Sequence, residues 1–361
     1  MAAVVLPESA LSELRKKGIQ RLLVIPDGSL HYIPFAMLRL KNEKDTGTLY
    51  LVEEFATSYV PAMTTLETIR RQKKDREEKR RGPRRELLAF ANPAYPDCGP
   101  IPTLPSRTAN DDLVTRLRSF RNDYYSRGGL RMRCLPETQK EALRVASLFA
   151  PPKEYKEPTT GEPEGKAVIF VERGAREEAV KRLLAAPLVD SEHSTLNAQR
   201  STSPQWRFLL FSTHGLADTH NGMLSCLALS SPGADSEEDG FLQAQEVMNL
   251  ELDTDLVMLS ACQTGLGRLR GGEGLVGLSA AFFYAGAESV CASLWQVPSG
   301  PTSQLVPEFF KQLQDGKMDK AEALRQAQLK VLRQGQALDG KSADYSSPFC
   351  WAAFVLMGEY R

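Results

Sequence analysis

No run of about 18 apolar residues occurs in the sequence, which excludes a helix crossing a bilayer. Its start, MAAVVLPESALSELRKKG, lacks a basic stretch leading into a long apolar one, so no signal peptide is expected. Histidine is scarce, with four in 361 residues, and the six Cys show neither regular spacing nor a Cys-x-x-Cys pair. That pattern excludes the common structural zinc sites and a disulfide-stapled small domain, and it suits a reduced, cytoplasmic setting. The spacing of His214, His220 and Cys226 matches no zinc pattern, so no metal is expected. No period of 20–50 residues recurs, so the chain is not itself a solenoid. Neither sign of charge is in excess, with 45 Lys+Arg against 45 Asp+Glu. The summed charge therefore gives no push toward nucleic acid or an anionic membrane.

What is present reads as globular. Apolar residues make up 42% and charged residues 25%, both ordinary for a folded chain. The length fits two domains or one large α/β unit. Charge is unevenly spread: RRQKKDREEKRRGPRR (70–85) carries ten basic and three acidic residues, leaving a net −7 on the rest. This run has no apolar face to bury, so it is expected as a solvated helix end and linker. It also lacks the interleaved aromatics that would stack on bases, which makes a nucleic-acid arm the weaker reading.

After the run, short apolar segments alternate with amphipathic ones. Strands are expected at Leu87–Ala91, Ala167–Val171, Phe208–Thr213, Leu256–Ala261, Ser289–Leu294 and Ala352–Met357. Helices are expected at Thr138–Phe149, Arg176–Leu184, Gly274–Tyr284, Gln304–Gln314 and Lys320–Leu332. Continuous apolar runs suit a mainly parallel sheet covered on both faces, hence a three-layer α/β fold. Residues 1–69 form a smaller N-terminal α/β unit, with a turn at Pro26-Asp27-Gly28, and 86–361 form the main domain. Residues 150–166 and 187–205 are polar and read as loops.

Two of the expected strands end on reactive side chains. FLLFST leads into His214-Gly215, and LVMLSA leads into Cys262-Gln263. Ligands of open α/β sheets bind at that carboxyl edge. A thiol beside an imidazole can be deprotonated and attack a carbonyl. Gly215 lets the backbone approach a substrate, and the N–H groups of Gly215 and Cys262 are candidates for an oxyanion hole. A lone Cys ending an apolar strand is more often a small buried hydrophobe. It is the pairing with His214 at a matching strand end that favours the reactive reading. GLGRLRGGEG (265–274) lacks the Gly-Lys-Ser/Thr ending of a phosphate loop, so no cofactor is expected. It reads instead as a loop walling the cleft, with Arg268 able to contact substrate. Asp218, Gln263 and Trp295 are further cleft candidates, although Trp295, like Trp351, has the character of a core residue.

These segments also resemble a known family, the CHAT domain, a caspase-like group related to separase. The resemblance is carried by LLVIPDGSLHYIPFAML (22–38), YVPAMTTL (59–66), FANPAYP (90–96), LPETQKEAL (135–143), FSTHG (211–215), DGFLQAQEVMNL (239–250), LVMLSACQTGLG (256–267), GGEGLVGLSAAFFYAGAESVCASLW (271–295) and WAAFVLMG (351–358). It implies a caspase-like fold with a mostly parallel six-stranded sheet flanked by helices. It also implies a cysteine endopeptidase in which His214 is the base and Cys262 the nucleophile, cutting protein or peptide substrates through a thioester. The family's usual tetratricopeptide repeats are not in this chain, so a repeat region or a regulatory partner is expected elsewhere. The alternative is a non-catalytic regulatory or protein-interaction module.

Overall fold

The computed structural model describes residues 5–40, 49–79, 82–95, 132–184, 205–217, 222–232, 236–260, 262–263, 273–295, 297–314, 318–334 and 345–361. The central sheet is built from β1 (Arg21–Val24), β4 (Ala56–Tyr59), β5 (Arg85–Pro93), β6 (Lys153–Tyr155), β7 (Ala167–Glu172), β8 (Trp206–Ser212), β12 (Leu256–Leu259), β14 (Ser289–Ser293) and β15 (Phe354–Gly358). Their order is β1-β4-β15-β14-β12-β8-β5-β7-β6. Every neighbouring pair is parallel except β14 with β15.

The sheet thus has nine strands where six were expected. The six apolar runs read from sequence are β5, β7, β8, β12, β14 and β15. The three additions are short segments: RLLV and ATSY from the first 69 residues, and KEY inside the polar stretch read as a loop. A three- or four-residue strand is too brief to leave a periodic signal. The stretch 187–205 lies outside the described residues apart from its last position.

Side chains alternate across the sheet as the pleat requires. Leu87, Ala89, Ile169, Phe208, Leu210, Leu256 and Met258 face one side. They pack on α3 (Pro136–Phe149), α6 (Ser299–Gln314) and α7 (Lys320–Gln334), which follow α1 (Glu8–Lys16) and α2 (Met63–Lys79) in the chain. Leu88, Phe90, Phe170, Leu209, Phe211 and Val257 face the other side, against α4 (Glu177–Leu184) and α5 (Glu273–Ala285). On that second face Phe211, Phe90, Phe170 and Tyr155 stack in a row across β8, β5, β7 and β6, with centroids 5.1–5.4 Å apart. The row stiffens the strands just before they reach the carboxyl edge. Trp351 is fully buried and meets Tyr50 edge-on at 5.2 Å, so it is a core residue.

The basic run ends a helix with most of its residues in solvent, as expected, but some of its cations also make ion pairs. Residues 70–79 belong to α2, whose cations reach carboxylates at the sheet's amino edge. Lys73 lies 2.8 Å from the buried Glu288, Arg70 pairs with Glu359, and Arg84 lies 2.6 Å from Asp255. Leu66 and Ile69 bury the apolar side of the first half of α2, and charge fastens the second half.

Candidate functional site

Above the carboxyl edge sits a second small sheet, ordered β11-β10-β9-β13. It comprises β9 (His214–Leu216), β10 (Cys226–Ala228), β11 (Phe241–Gln243) and β13 (Cys262–Gln263), while β2 (Arg39–Leu40) and β3 (Leu49–Tyr50) form a separate hairpin. The chain enters β9 from β8 and β13 from β12. Phe211 pairs with Leu259 in the large sheet and His214 with Cys262 in the small one. The offset of 48 residues is the same in both ladders. The parallel register sets the Cα of Cys262 opposite that of His214, about 4.8 Å away for neighbouring strands.

The His214 ring is buried, lies 5.2 Å from the Tyr95 ring, and places Nε2 2.8 Å from the Arg133 carbonyl oxygen. A carbonyl only accepts, so Nε2 carries the proton and Nδ1 keeps its lone pair. Burial pushes the imidazole below the ordinary histidine range, and the Arg133 carbonyl opposes this in part. The ring is therefore neutral at pH 7, the form able to accept a proton.

The segment around Arg133 is itself held by the end of β5. Asn92 adopts φ 45°, a left-handed conformation that Asn tolerates better than most residues. From there its N–H donates to Thr138 Oγ1 at 2.9 Å and its Oδ1 accepts from Leu135 N–H at 3.2 Å. That ties the start of α3, and with it the Arg133 carbonyl, to the end of β5. Tyr95 Oη donates to the Ala228 carbonyl at 2.9 Å and accepts from His214 N–H at 3.4 Å. Beneath the edge, Glu141 of α3 is buried and accepts from Ser212 Oγ at 2.7 Å, while Ser260 supplies a second hydrogen bond. Asn92, Tyr95, Arg133 and Glu141 all fall in FANPAYP or just before and within LPETQKEAL. Both motifs are visible in the sequence, yet nothing in their spacing points to roles beside His214.

Of the other candidates, Gly215 lies in β9 between Leu227 of β10 and Gln263 of β13. Asp218 and Arg268 lie outside the described residues. Trp295 follows β14, half-buried, donating from Nε1 to the Phe349 carbonyl at 2.9 Å and stacking on the exposed Phe349 ring. It stands at the carboxyl edge, two strands along from β8. Cys226, Cys291 and Cys350 are buried thiols, and burial pushes Cys291 far up. Cys134 is disulfide-bonded, a departure from the expectation of reduced thiols.

Among the described residues, one acidic group could offer three metal ligands: Glu177, Glu238 and Glu246. The Lys181 ammonium already sits among them, within 2.9 Å of each. His220 lies outside the described residues, and Cys226 pairs in register with Leu216 rather than His214.

Comparison with known proteins adds three findings. Tetratricopeptide repeat protein 28 of Mus musculus is 36% identical over 117 residues, and that of Homo sapiens is 32% identical over 117 residues. The match takes in 32% of this chain and 4% of either relative. The Saccharomyces cerevisiae separase–securin complex superposes over 97% of this chain and 17% of its own, at 12% identity and a TM-score of 0.41. The CHAT domain profile matches residues 2–359, nearly the whole length. The chain belongs to the CHAT domain family.

Proposed function

We propose that this CHAT domain is a cysteine endopeptidase in which His214 is the base and Cys262 the nucleophile. One observation carries the reading. The register puts Cys262 opposite a histidine that is neutral and has its Nε2–H engaged, leaving Nδ1 free of that proton. In the first half-reaction the Cys262 thiol gives its proton to His214 and the thiolate adds to the scissile carbonyl carbon. The N–H groups of Gly215 and Cys262 receive the oxyanion. The C–N bond then breaks as the imidazolium protonates the leaving amine, and a thioester remains. In the second half-reaction His214 takes a proton from water. The hydroxide adds to the thioester, and the thiolate departs and is reprotonated.

The other cleft candidates take supporting roles. Gln263 and Trp295 border the carboxyl edge, and Asp218 and Arg268 follow the two reactive residues in sequence. No helix among the described residues is long and apolar enough to cross a membrane. A thiolate mechanism requires Cys262 to be reduced, which favours the cytoplasm, although Cys134 is disulfide-bonded.

The likeness to tetratricopeptide repeat protein 28 favours a second reading, in which the domain binds a partner within a repeat-containing assembly without cutting. A search for new protein termini in cells producing the intact chain or Cys262→Ala separates the two. The endopeptidase reading expects termini that vanish with Cys262→Ala. Identical sets of termini leave the binding role.

A further inference from the structure

Glu141 stands where an amphipathic helix ordinarily places an apolar side chain. With Ala142, Val145 and Ala146 it forms the stripe of α3 that faces the sheet, and its carboxyl is withdrawn from water. Burying such a group is unfavourable unless its hydrogen bonds are met, and an apolar residue would fill the place without that cost. Its partners are unusual in their position. Ser212 is the last residue of β8, two before His214, and Ser260 follows β12, two before Cys262. Both hydroxyls are buried, and both bond the same carboxyl. The 48-residue offset is common to both ladders, so Ser212 and Ser260 stand at equivalent places between the paired Phe211 and Leu259 and the paired His214 and Cys262.

We infer that Glu141 is a positioning residue for the reactive pair: by bridging Ser212 and Ser260 it fixes, from below, the relative height of the two strand ends that carry His214 and Cys262. The inference rests on the His214–Cys262 reading and adds to it the element that keeps the pair in register. Burial raises the Glu141 carboxyl to about 7, against the hydrogen bonds from Ser212 and Ser260 and the charge of Arg144. The group therefore changes protonation near neutral pH. Among the described residues Arg144, on the same helix, supplies the charge acting on it, while the strand ends present the two hydroxyls.

The test needs no substrate. Under reducing conditions the rate of Cys262 alkylation by iodoacetamide is followed by mass spectrometry from pH 5 to 9, beside thermal unfolding of each protein. His214→Ala provides the reference for loss of the base. Glu141→Leu, folded, is expected to slow Cys262 alkylation about tenfold or more at pH 7, since small misplacements at a reacting pair are costly. Glu141→Gln, which keeps a hydrogen-bonding group, is expected to restore most of the rate and to flatten the part of the profile near pH 7.

Ser212→Ala and Ser260→Ala each delete one bond with little change of volume, and each is expected to slow the reaction. They decide the matter if Glu141→Leu does not fold. Alkylation within twofold of the original protein in folded Glu141→Leu, or in both serine variants, overturns the inference. A rate indifferent to His214→Ala instead overturns the reading beneath it. The two failures are thereby told apart.

Discussion

At the edge where β8, β12 and β14 begin, buried and half-buried carboxylates meet cations. Glu288 lies 2.8 Å from Lys73 and 3.9 Å from Lys320, Asp255 takes Arg84 at 2.6 Å and Arg207 at 3.2 Å, and Glu359 pairs with Arg70. At the opposite edge, where β8 and β12 end, Glu141 meets hydroxyls and His214 meets a backbone carbonyl. The pKa directions follow. Burial pushes Asp255 and Glu359 up, but Arg84 and Arg70 respectively lead the groups that outweigh it and hold both below the usual carboxylate range. Burial dominates at the other edge, raising Glu141 and lowering His214, so both neutral forms are favoured. One edge is fastened by fixed charges, and the other keeps groups whose protons can move. The second pattern is that of a reactive site.

The comparison can be broken from either side. The largest effect is expected at the carboxyl edge. His214→Ala should lower cleavage of a substrate found through its new termini by about 10³-fold or more, with thermal unfolding nearly unchanged. A smaller loss would mean that the imidazole is not the base. At the amino edge, Glu288→Ala leaves the buried Lys320 short of a partner. It should cost about 3–5 kcal/mol in urea unfolding while folded protein keeps its Cys262 alkylation rate. Loss of reactivity in proportion to stability would erase the distinction between the edges.

Proton linkage sharpens the contrast. The contribution of Asp255 and Glu359 is present above the ordinary carboxylate range and is lost as pH falls through their lowered folded values. Glu141 has the reverse sign. Its folded value of about 7 lies above the ordinary 4.5, so its contribution is complete below 4.5 and is lost as pH rises through 7. Glu141→Gln should therefore gain on the original protein as pH rises above 4.5, reaching about 3 kcal/mol at pH 8, measured by urea unfolding across pH. The smallest effect belongs outside both edges. Arg15 and Glu54 pair at 2.7 Å on the surface, and Glu54→Gln should cost less than about 1 kcal/mol.

Much of this frame was legible in the sequence because apolar runs of five or six residues announce buried parallel strands, and because His214 and Cys262 directly follow two of them. The short strands β1, β4 and β6 carry no such signal. The ion pairs of the basic run were not legible, since its partners Glu288 and Glu359 lie more than 200 residues away and composition cannot pair them. Arg133 was invisible for another reason: it acts through its backbone carbonyl, so its side chain is irrelevant to the contact with His214. Glu141 resembles an ordinary helix residue until the fold brings two serines to it.

The most direct test of the reactive edge compares alkylation of Cys262 with that of the buried Cys350 in native, reduced protein at pH 7, with and without His214→Ala. The account predicts that Cys262 reacts much the faster and loses that lead when His214 is replaced. Equal rates at the two thiols, unchanged by His214→Ala, would contradict it.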